Sequence, residues 1–206
     1  VFAAFIAVIR GQVMVGVTGV DGQVLKMLAA LNLPPKVFAL NHVEPLCLLD
    51  LADLADPGPV EIRLAAEGDR ALLEDWFRLY FIETGLTTDP DTAGATAAQR
   101  VAGGNPPIQL MIDGGVPVAM MSSHALLPEI VNIGNVYVPE ADRGKGHAGR
   151  IVASELCRLR AEGVREAVLF ANNDAAMKAY ERLGFHQIDT FRVAMMNVPV
   201  KVGDKR

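Results

Sequence analysis

The sequence contains little cysteine, little histidine and no excess of positive charge, and each shortage excludes a class of protein. The 2 cysteines, Cys47 and Cys157, lie in apolar surroundings without paired spacing, which predicts reduced core thiols in a cytoplasmic protein rather than disulfides. The 4 histidines show no metal-ligand spacing, so we expect no metal. Asp and Glu number 24 against 19 Lys and Arg, giving a net charge of -5, and we therefore expect no nucleic-acid partner.

Long apolar runs, internal repeats and low-complexity segments are also missing. The apolar stretch 1–9 is too short to cross a bilayer and has no basic segment before it, so we expect no membrane association. Because the chain does not begin with methionine, we expect the natural N-terminus to lie upstream. The hydrophobic content of 51% in 206 residues predicts one globular domain, or one domain plus a smaller lobe.

Proline and glycine are concentrated at Asp56-Pro57-Gly58-Pro59. These residues interrupt both helix and sheet, so we place a boundary here. Residues 1–58 are predicted to form a small N-terminal α/β lobe, and residues 59–206 a larger domain. Within the lobe, hydrophobic spacing and turn residues predict a hairpin of 2–10 with 13–17, a helix at 23–31, a strand at 37–40 and a helix at 44–54.

In the larger domain, segments with the hydrophobic spacing of strands alternate with segments that have the hydrophobic spacing of helices. A Gly114-Gly115 pair between two apolar runs predicts a β-hairpin, and the wholly apolar run 167–170 predicts a buried central strand. The predicted strands are 60–64, 108–112, 116–122, 130–138, 167–170 and 185–196, and the predicted helices are 69–84, 89–102, 147–162 and the segment from Asn173 or Asp174 to Gly184.

The most informative stretch is the glycine-rich segment Arg143-Gly144-Lys145-Gly146-His147-Ala148, which follows the strand predicted at 130–138. Its glycines allow a tight turn that exposes backbone N–H groups, and Ala148 begins the next helix without crowding them. Unpaired N–H groups and the helix dipole together form an anion site, most naturally for phosphate. Arg143 and Lys145 add positive charge at the rim, although a solvated loop would also carry such residues.

A dinucleotide-binding fingerprint is an alternative interpretation of this segment, because Gly144, Gly146 and Gly149 have the required spacing. That fingerprint needs its first glycine directly after a strand, near the start of a βαβαβ unit. Here residues 139–143 intervene and about 60 residues remain. The sequence context therefore disfavours a dinucleotide site.

The same region resembles a known family. The segment 143–148 matches the Arg/Gln-x-x-Gly-x-Gly/Ala signature of the GNAT superfamily of acyl-CoA-dependent N-acyltransferases. The superfamily pattern Asn-x-x-Ala-x-x-x-Tyr-x-x-x-Gly-Phe is matched by Asn173, Ala176, Tyr180, Gly184 and Phe185. The two motifs stand in the family's order, one helix and one strand apart. The resemblance covers residues 130–196 and extends back to residue 60, where 60–84 is similar to bacterial acetyltransferases that carry an extra N-terminal lobe.

The resemblance implies an α/β fold of the GNAT type, with a mixed, splayed sheet and helices on both faces, preceded here by the small α/β lobe. The lobe is interpreted as a degenerate copy of the same half-fold. The implied activity is transfer of an acetyl or other short acyl group from acyl-CoA to a primary amine on a small molecule or peptide, by a cytoplasmic monomer or homodimer. A non-catalytic acyl-CoA-binding regulatory module remains the alternative.

The resemblance also implies roles for individual residues. Tyr180 would donate a proton to the departing CoA thiolate, although its helical spacing also suits a core residue. Asn173 would contact the cofactor, or act only as a helix N-cap. The His147 side chain is expected to be an exposed bystander. The implied acetyl-CoA-binding residues are Val136, Tyr137, Val138, Arg143, Gly144, Lys145, Gly146, His147, Ala148 and Asn173.

The general base is not evident from the sequence. Family members often place a Glu on the strand before the glycine-rich segment, but 130–138 contains no carboxylate, and Asn135 stands near the expected place. The candidates are Glu83, His124 and Glu129. We assign the role to Glu83, because it ends the helix that carries Trp76.

Overall fold

The computed structural model describes residues 2–87, 89–102 and 107–203. The chain folds into two compact units, one formed by Val1–Leu46 with Gln187–Arg206 and the other by Cys47–His186. The division predicted from the sequence, 1–58 and 59–206, stays a prediction. The helices and strands are α1 Phe2–Val8, β1 Val13–Val20, α2 Asp21–Leu31, β2 Phe38–Asp50, β3 Glu61–Leu64, α3 Arg70–Thr84, α4 Pro90–Ala102, β4 Ile108–Asp113, β5 Val116–Leu126, β6 Ile130–Tyr137, α5 His147–Ala161, β7 Glu166–Phe170, α6 Asp174–Glu181 and β8 His186–Lys201.

Two predicted elements in the first 58 residues are wrong. The segment predicted as the first hairpin strand is the helix α1, because a short apolar run rich in alanine has no periodicity that separates helix from strand. Residues 44–50 of the helix predicted at 44–54 form the second half of strand β2, and Leu51–Asp53 form a short 3₁₀ helix. Pro45 lacks the N–H that a helix interior needs, and the buried side chains Cys47 and Leu49 alternate with less buried ones along the strand.

The second unit contains strands in the order β7-β6-β5-β4-β3. The pairs β3–β4, β4–β5 and β5–β6 are antiparallel, whereas β6 and β7 are parallel. The predicted β4–β5 hairpin is confirmed, and its turn residues Gly114 and Gly115 have φ angles of 56° and 82°. A two-residue turn with both φ angles positive is the geometry that favours glycine.

Helices cover both faces of this mixed sheet. Successive strand residues point to opposite faces, so Leu110 and Met120 pack with α3 and α4 whereas Met111 and Met121 pack with α5 and α6. The α3–α4 cluster contains Leu73, Trp76, Phe77, Ala98, Ile108, Leu110, Ile112, Met120 and Tyr137. The predicted fold class, a mixed sheet with helices on both faces, is confirmed.

Strand β6 has two irregularities that shape the region around it. Met120 pairs with Tyr137 and Ser122 with Gly134, so β6 has one more residue than β5 between these two pairs. The extra residue forms a β-bulge, where Asn135 has a φ of 51°. On its other side, the pairing of β6 with β7 covers Ile130 to Asn132. Within the described residues no β6–β7 pair follows these, so the C-terminal half of β6 has an unpaired backbone edge.

Helices α3 and α4 approach closely at Gly94. A methyl group at this position would lie 2.9 Å from the Glu74 carbonyl oxygen and 3.0 Å from the Arg78 nitrogen. We expect Gly94→Ala to lower the free energy of unfolding by about 1–3 kcal/mol, because overpacking outweighs the better helix propensity of alanine. Gly149→Ala in α5 is the control, since its methyl group would only reach 3.8 Å from Leu183. Urea denaturation should therefore show opposite signs for the two variants, and equal signs would contradict close packing at Gly94.

Both cysteines are free, Cys47 buried as predicted for a core thiol and Cys157 only partly buried. Across the described ranges, every helix falls short of the length and apolar composition needed to cross a bilayer.

Candidate functional site

The glycine-rich segment forms a turn that ends in the first residue of α5. Gly144 and Gly146 have φ angles of 78° and 81°, and a Cβ atom on either would meet nothing within 4 Å. The N–H of Arg150 donates to the Gly146 carbonyl at 3.1 Å. The N–H groups of the residues just before Arg150 therefore have no acceptor within the helix, as is usual for the first amides of a helix. These amides, together with the positive end of the helix dipole, provide donors for an anion.

A cavity of about 380 Å³ lies against this turn. Its walls are the end of β6, the glycine-rich segment, the ends of α3 and β7, and one face of α6. The cavity residues include the predicted site residues Glu83, Val136, Tyr137, Val138, Arg143, Gly144, Gly146, His147, Ala148, Asn173 and Tyr180. The exception among the predicted residues is Lys145, whose ammonium group binds Asp142 at 2.8 Å instead.

Arg143 is bound by groups of the protein itself. Its Nη2 donates to both carboxylate oxygens of Glu83, at 2.6 and 2.8 Å, and its Nε donates to the Val138 carbonyl at 2.9 Å. The guanidinium carbon also lies 5.8 Å from the centre of the Tyr137 ring. The hydrogen bond to Glu83 raises the pKa of Arg143. Arg143 therefore joins the end of α3 to the glycine-rich segment and to the residue that follows β6.

His147 differs from the sequence-based expectation. Its side chain was expected to be exposed, but the residue is only 4% exposed. Both ring nitrogens lack a hydrogen-bond partner among the described residues, and Nε2 lies 4.0 Å from a carboxylate oxygen of Asp113. The reason is positional: the first residue of α5 lies beside the end of β4, and the sequence does not show that these two elements meet.

Tyr180 and Asn173 belong to α6 and its N-terminus. The Asn173 carbonyl oxygen Oδ1 accepts from the Ala176 N–H at 2.8 Å, so the predicted N-cap is confirmed. Tyr180 is buried, lines the cavity, and lies edge-on to Phe185 with ring centres 5.9 Å apart. Burial raises the pKa of Tyr180 above its usual value of 10.0, with smaller contributions from Tyr80 and Cys47. The phenol is therefore protonated throughout the physiological pH range.

Tyr80 and Thr84 of the cavity, and Ser122 beside it, were not among the predicted site residues. Tyr80 and Thr84 line the cavity from α3 together with Glu83, and their i, i+3 and i+4 spacing would have placed all three on one helix face. Ser122 is fully buried and accepts a hydrogen bond from the Asn135 amide at 2.9 Å. No sequence pattern indicates this pair, because it depends on the bulge in β6.

Within the described residues, no group of three His, Cys, Asp or Glu side chains is placed to hold a metal ion.

Comparisons with known proteins extend these observations. Residues 70–185 match the model of the acetyltransferase (GNAT) family, which is more than half of the chain. No functionally curated protein matches the chain at a significant level.

Solved structures are similar in fold. A GCN5-related N-acetyltransferase from Kribbella flavida is 17% identical with a TM-score of 0.57, over 86% of this chain and 65% of the other. The chain thus spans less than two thirds of that relative. A putative GNAT acetyltransferase from Novosphingobium aromaticivorans is 19% identical with a TM-score of 0.54, over 94% and 78%. A predicted acetyltransferase from Clostridium acetobutylicum, solved with acetyl-CoA, is 17% identical with a TM-score of 0.50, over 64% and 92%.

Proposed function

Because the chain belongs to the acetyltransferase (GNAT) family, we propose that it transfers an acetyl or other short acyl group from acyl-CoA to a primary amine. The observation that carries this proposal is one cavity in which the open amides of the glycine-rich segment and the phenol of Tyr180 lie together. The first feature suits a pyrophosphate, and the second suits a leaving group that needs a proton. An acyl-CoA molecule carries a pyrophosphate at one end of its pantetheine arm and the thioester sulfur, its leaving group, at the other end.

Most of the predicted binding residues have a place in this proposal through their backbone. The amides from Gly144 to Ala148 hold the pyrophosphate, and the unpaired backbone edge from Val136 to Val138 is available to pantetheine amides. The Clostridium acetobutylicum relative was solved with acetyl-CoA, and this supports the assignment by analogy of fold. Lys145 and Asn173 contribute differently from the other residues, because Asp142 holds the Lys145 ammonium group and Asn173 caps α6.

The reaction needs no covalent enzyme intermediate. The amine nitrogen attacks the thioester carbonyl, the C–S bond breaks, and Tyr180 hydrogen-bonds the departing sulfur and supplies its proton. The nitrogen gives up one proton to a base or to water, and the Tyr180 phenolate regains its proton from water. The free N–H groups at the end of β6, such as that of Val138, stabilise the developing oxyanion. The raised pKa of Tyr180 keeps the phenol protonated at neutral pH, so its O–H can donate a hydrogen bond to the departing sulfur.

Glu83 has a different role in this proposal from the base that the sequence suggested. Both of its oxygens accept hydrogen bonds from Arg143, so taking a proton from an amine would require this charge-assisted pair to open. We therefore propose that the Arg143–Glu83 ion pair positions the end of α3 beside the cavity. The assignment of Glu83 as general base stays an untested prediction.

Glu83→Gln distinguishes the two roles. If Glu83 only positions α3, we expect kcat to fall less than tenfold, because an exposed ion pair is worth about 1 kcal/mol or less. Arg143→Gln should give a similar loss, and the double variant no more than either single one. If Glu83 were the base, Glu83→Gln alone should lower kcat by about 100-fold or more, with Arg143→Gln much milder.

The test of the proposed function is release of free thiol from acetyl-CoA in the presence of amines. A panel of ethylamine, spermidine, lysine, kanamycin and a hexapeptide with a free N-terminus covers small-molecule and peptide acceptors. We expect thiol release above the rate without amine for at least one member. Binding of acetyl-CoA without release for any amine would instead support the non-catalytic module.

A further inference from the structure

The sheet face beneath α3 and α4 changes from apolar to polar at the middle of β6. Met120 belongs to the apolar α3–α4 cluster, whereas Ser122, two residues further along β5 on the same face, is polar and fully buried. Ser122 pairs with Gly134, and Asn135 lies next to Gly134. The polar part of the sheet therefore begins at the bulge in β6, at residues that also line the cavity containing Tyr180.

His124 lies directly against Gly134. A Cβ atom on Gly134 would fall 1.9 Å from His124 Nε2 and 2.0 Å from Cδ2, so only glycine leaves room for the imidazole ring. His124 is nevertheless an exposed residue, and it thus lies in a recess that solvent reaches. Burial lowers the pKa of His124 below its usual value of 6.5. The ring is therefore neutral at physiological pH, with one nitrogen able to accept a proton.

Two amide oxygens accompany this imidazole. Asn132 Oδ1 is buried without a hydrogen-bond partner among the described residues. The Asn135 amide nitrogen donates to Ser122. The other end of this side-chain amide, the oxygen Oδ1, is a hydrogen-bond acceptor. A buried acceptor without a donor costs free energy, and a ligand that carries several N–H groups would remove that cost. A primary amine is such a ligand.

We propose that His124, Asn132 and Asn135 form the subsite for the amine, and that His124 takes the proton from the attacking nitrogen. This inference rests on the proposed function, which it deepens. The two asparagine oxygens accept N–H bonds and orient the amine. As the nitrogen bonds to the thioester carbon, one N–H proton passes to the imidazole. The C–S bond then breaks and Tyr180 supplies the proton to sulfur. The imidazolium releases its proton to water, and the Tyr180 phenolate regains a proton from water, which restores both groups.

The two carboxylates that the sequence offered as bases are already paired. Glu129, in the turn between β5 and β6, lies 3.5 Å from Arg165, and Glu83 on α3 is bound by Arg143. Burial is the one cause of the lowered His124 pKa. Of the three candidate bases, His124 is the one that is not held in an ion pair by any described residue, and its neutral ring can accept a proton.

The test compares His124→Gln with His186→Gln, an exposed histidine on β8, using the amine from the panel that is turned over fastest. We expect His124→Gln to lower kcat/KM for the amine by about 100-fold and to leave the Kd for acetyl-CoA unchanged. Wild-type kcat/KM should have an acid limb below pH 6.5, reporting protonation of His124, and this limb should be missing in His124→Gln. His186→Gln should match the wild type in both measurements.

Two further variants keep the result interpretable. Gly134→Ala should displace the imidazole and reproduce the loss seen in His124→Gln, and Asn132→Ala should raise KM for the amine more than it lowers kcat. If His124→Gln keeps wild-type kcat/KM and the acid limb while thiol release continues, the subsite is wrong and the proposed function stands. If no amine in the panel promotes thiol release from acetyl-CoA, the proposed function is wrong and the subsite falls with it.

Discussion

Gly146→Val is expected to weaken CoA binding by about 100-fold or more, equivalent to about 2.7 kcal/mol. Gly146 has a φ of 81° and immediately precedes α5. A β-branched side chain there would favour a different backbone conformation, with a strain of about 1–2 kcal/mol, and would extend into the open space in front of the amides. Both effects remove donors from the proposed pyrophosphate site. Isothermal titration with CoA measures the change.

Gly163→Val is the matched control for this prediction. Gly163 has a φ of 103°, and its missing Cβ also faces open space, but it follows the other end of α5 and does not line the cavity. The two variants carry comparable backbone strain, so their difference isolates the contribution of the turn to binding. Equal Kd values for the two variants would show that the glycine-rich segment does not hold the ligand.

Tyr180→Phe is expected to lower kcat by about 100-fold or more, the usual size of a lost general acid. Phenylalanine keeps the ring that packs on Phe185 at 5.9 Å and removes only the hydroxyl. Because the residue is buried and protonated, its loss should not change the charge of the cavity. We therefore expect unchanged Kd for acetyl-CoA and an unchanged or slightly raised unfolding temperature.

The kinetics of Tyr180→Phe can also show which step has changed. Without the phenol, the thiol leaves as an anion, and the rate then depends on how acidic that thiol is. Thioesters of more acidic thiols should therefore lose less activity in Tyr180→Phe, relative to wild type, than acetyl-CoA does. Since burial raises the pKa of Tyr180 above 10.0, wild-type activity should show no loss from ionisation of this phenol below pH 10. A kcat for Tyr180→Phe within a factor of about three of wild type would reject the role of general acid.

The sequence predicts the elements of the second unit well, because these elements carry their own signals. The helix α3 has a broad apolar stripe, and the β4–β5 turn has two glycines that suit its positive φ angles. Two predictions were wrong in the first 58 residues. There α1 is an apolar alanine-rich run without a clear period, and β2 continues through a segment that has apolar residues at both helical and strand spacing. Local pattern alone does not decide such cases.

The candidate site shows the same division between local and long-range information. The glycine-rich turn and the Asn173 cap depend on neighbouring residues, and the sequence indicated both. The Arg143–Glu83 ion pair spans 60 residues and the Ser122–Asn135 hydrogen bond spans 13. Both depend on how α3 and β5 lie beside β6, which one sequence does not reveal. The burial of His147 beside Asp113 has the same origin.

The most direct measurement is a titration of the ¹⁵N-labelled protein with CoA, followed through the backbone amide signals. We expect saturable shifts that are largest for Gly144, Gly146 and Ala148, with small shifts for Gly163 and Gly203. Saturation with unmoved signals at Gly144–Ala148 would place the ligand elsewhere. The absence of any saturable shift at millimolar CoA would contradict an acyl-CoA site in this protein.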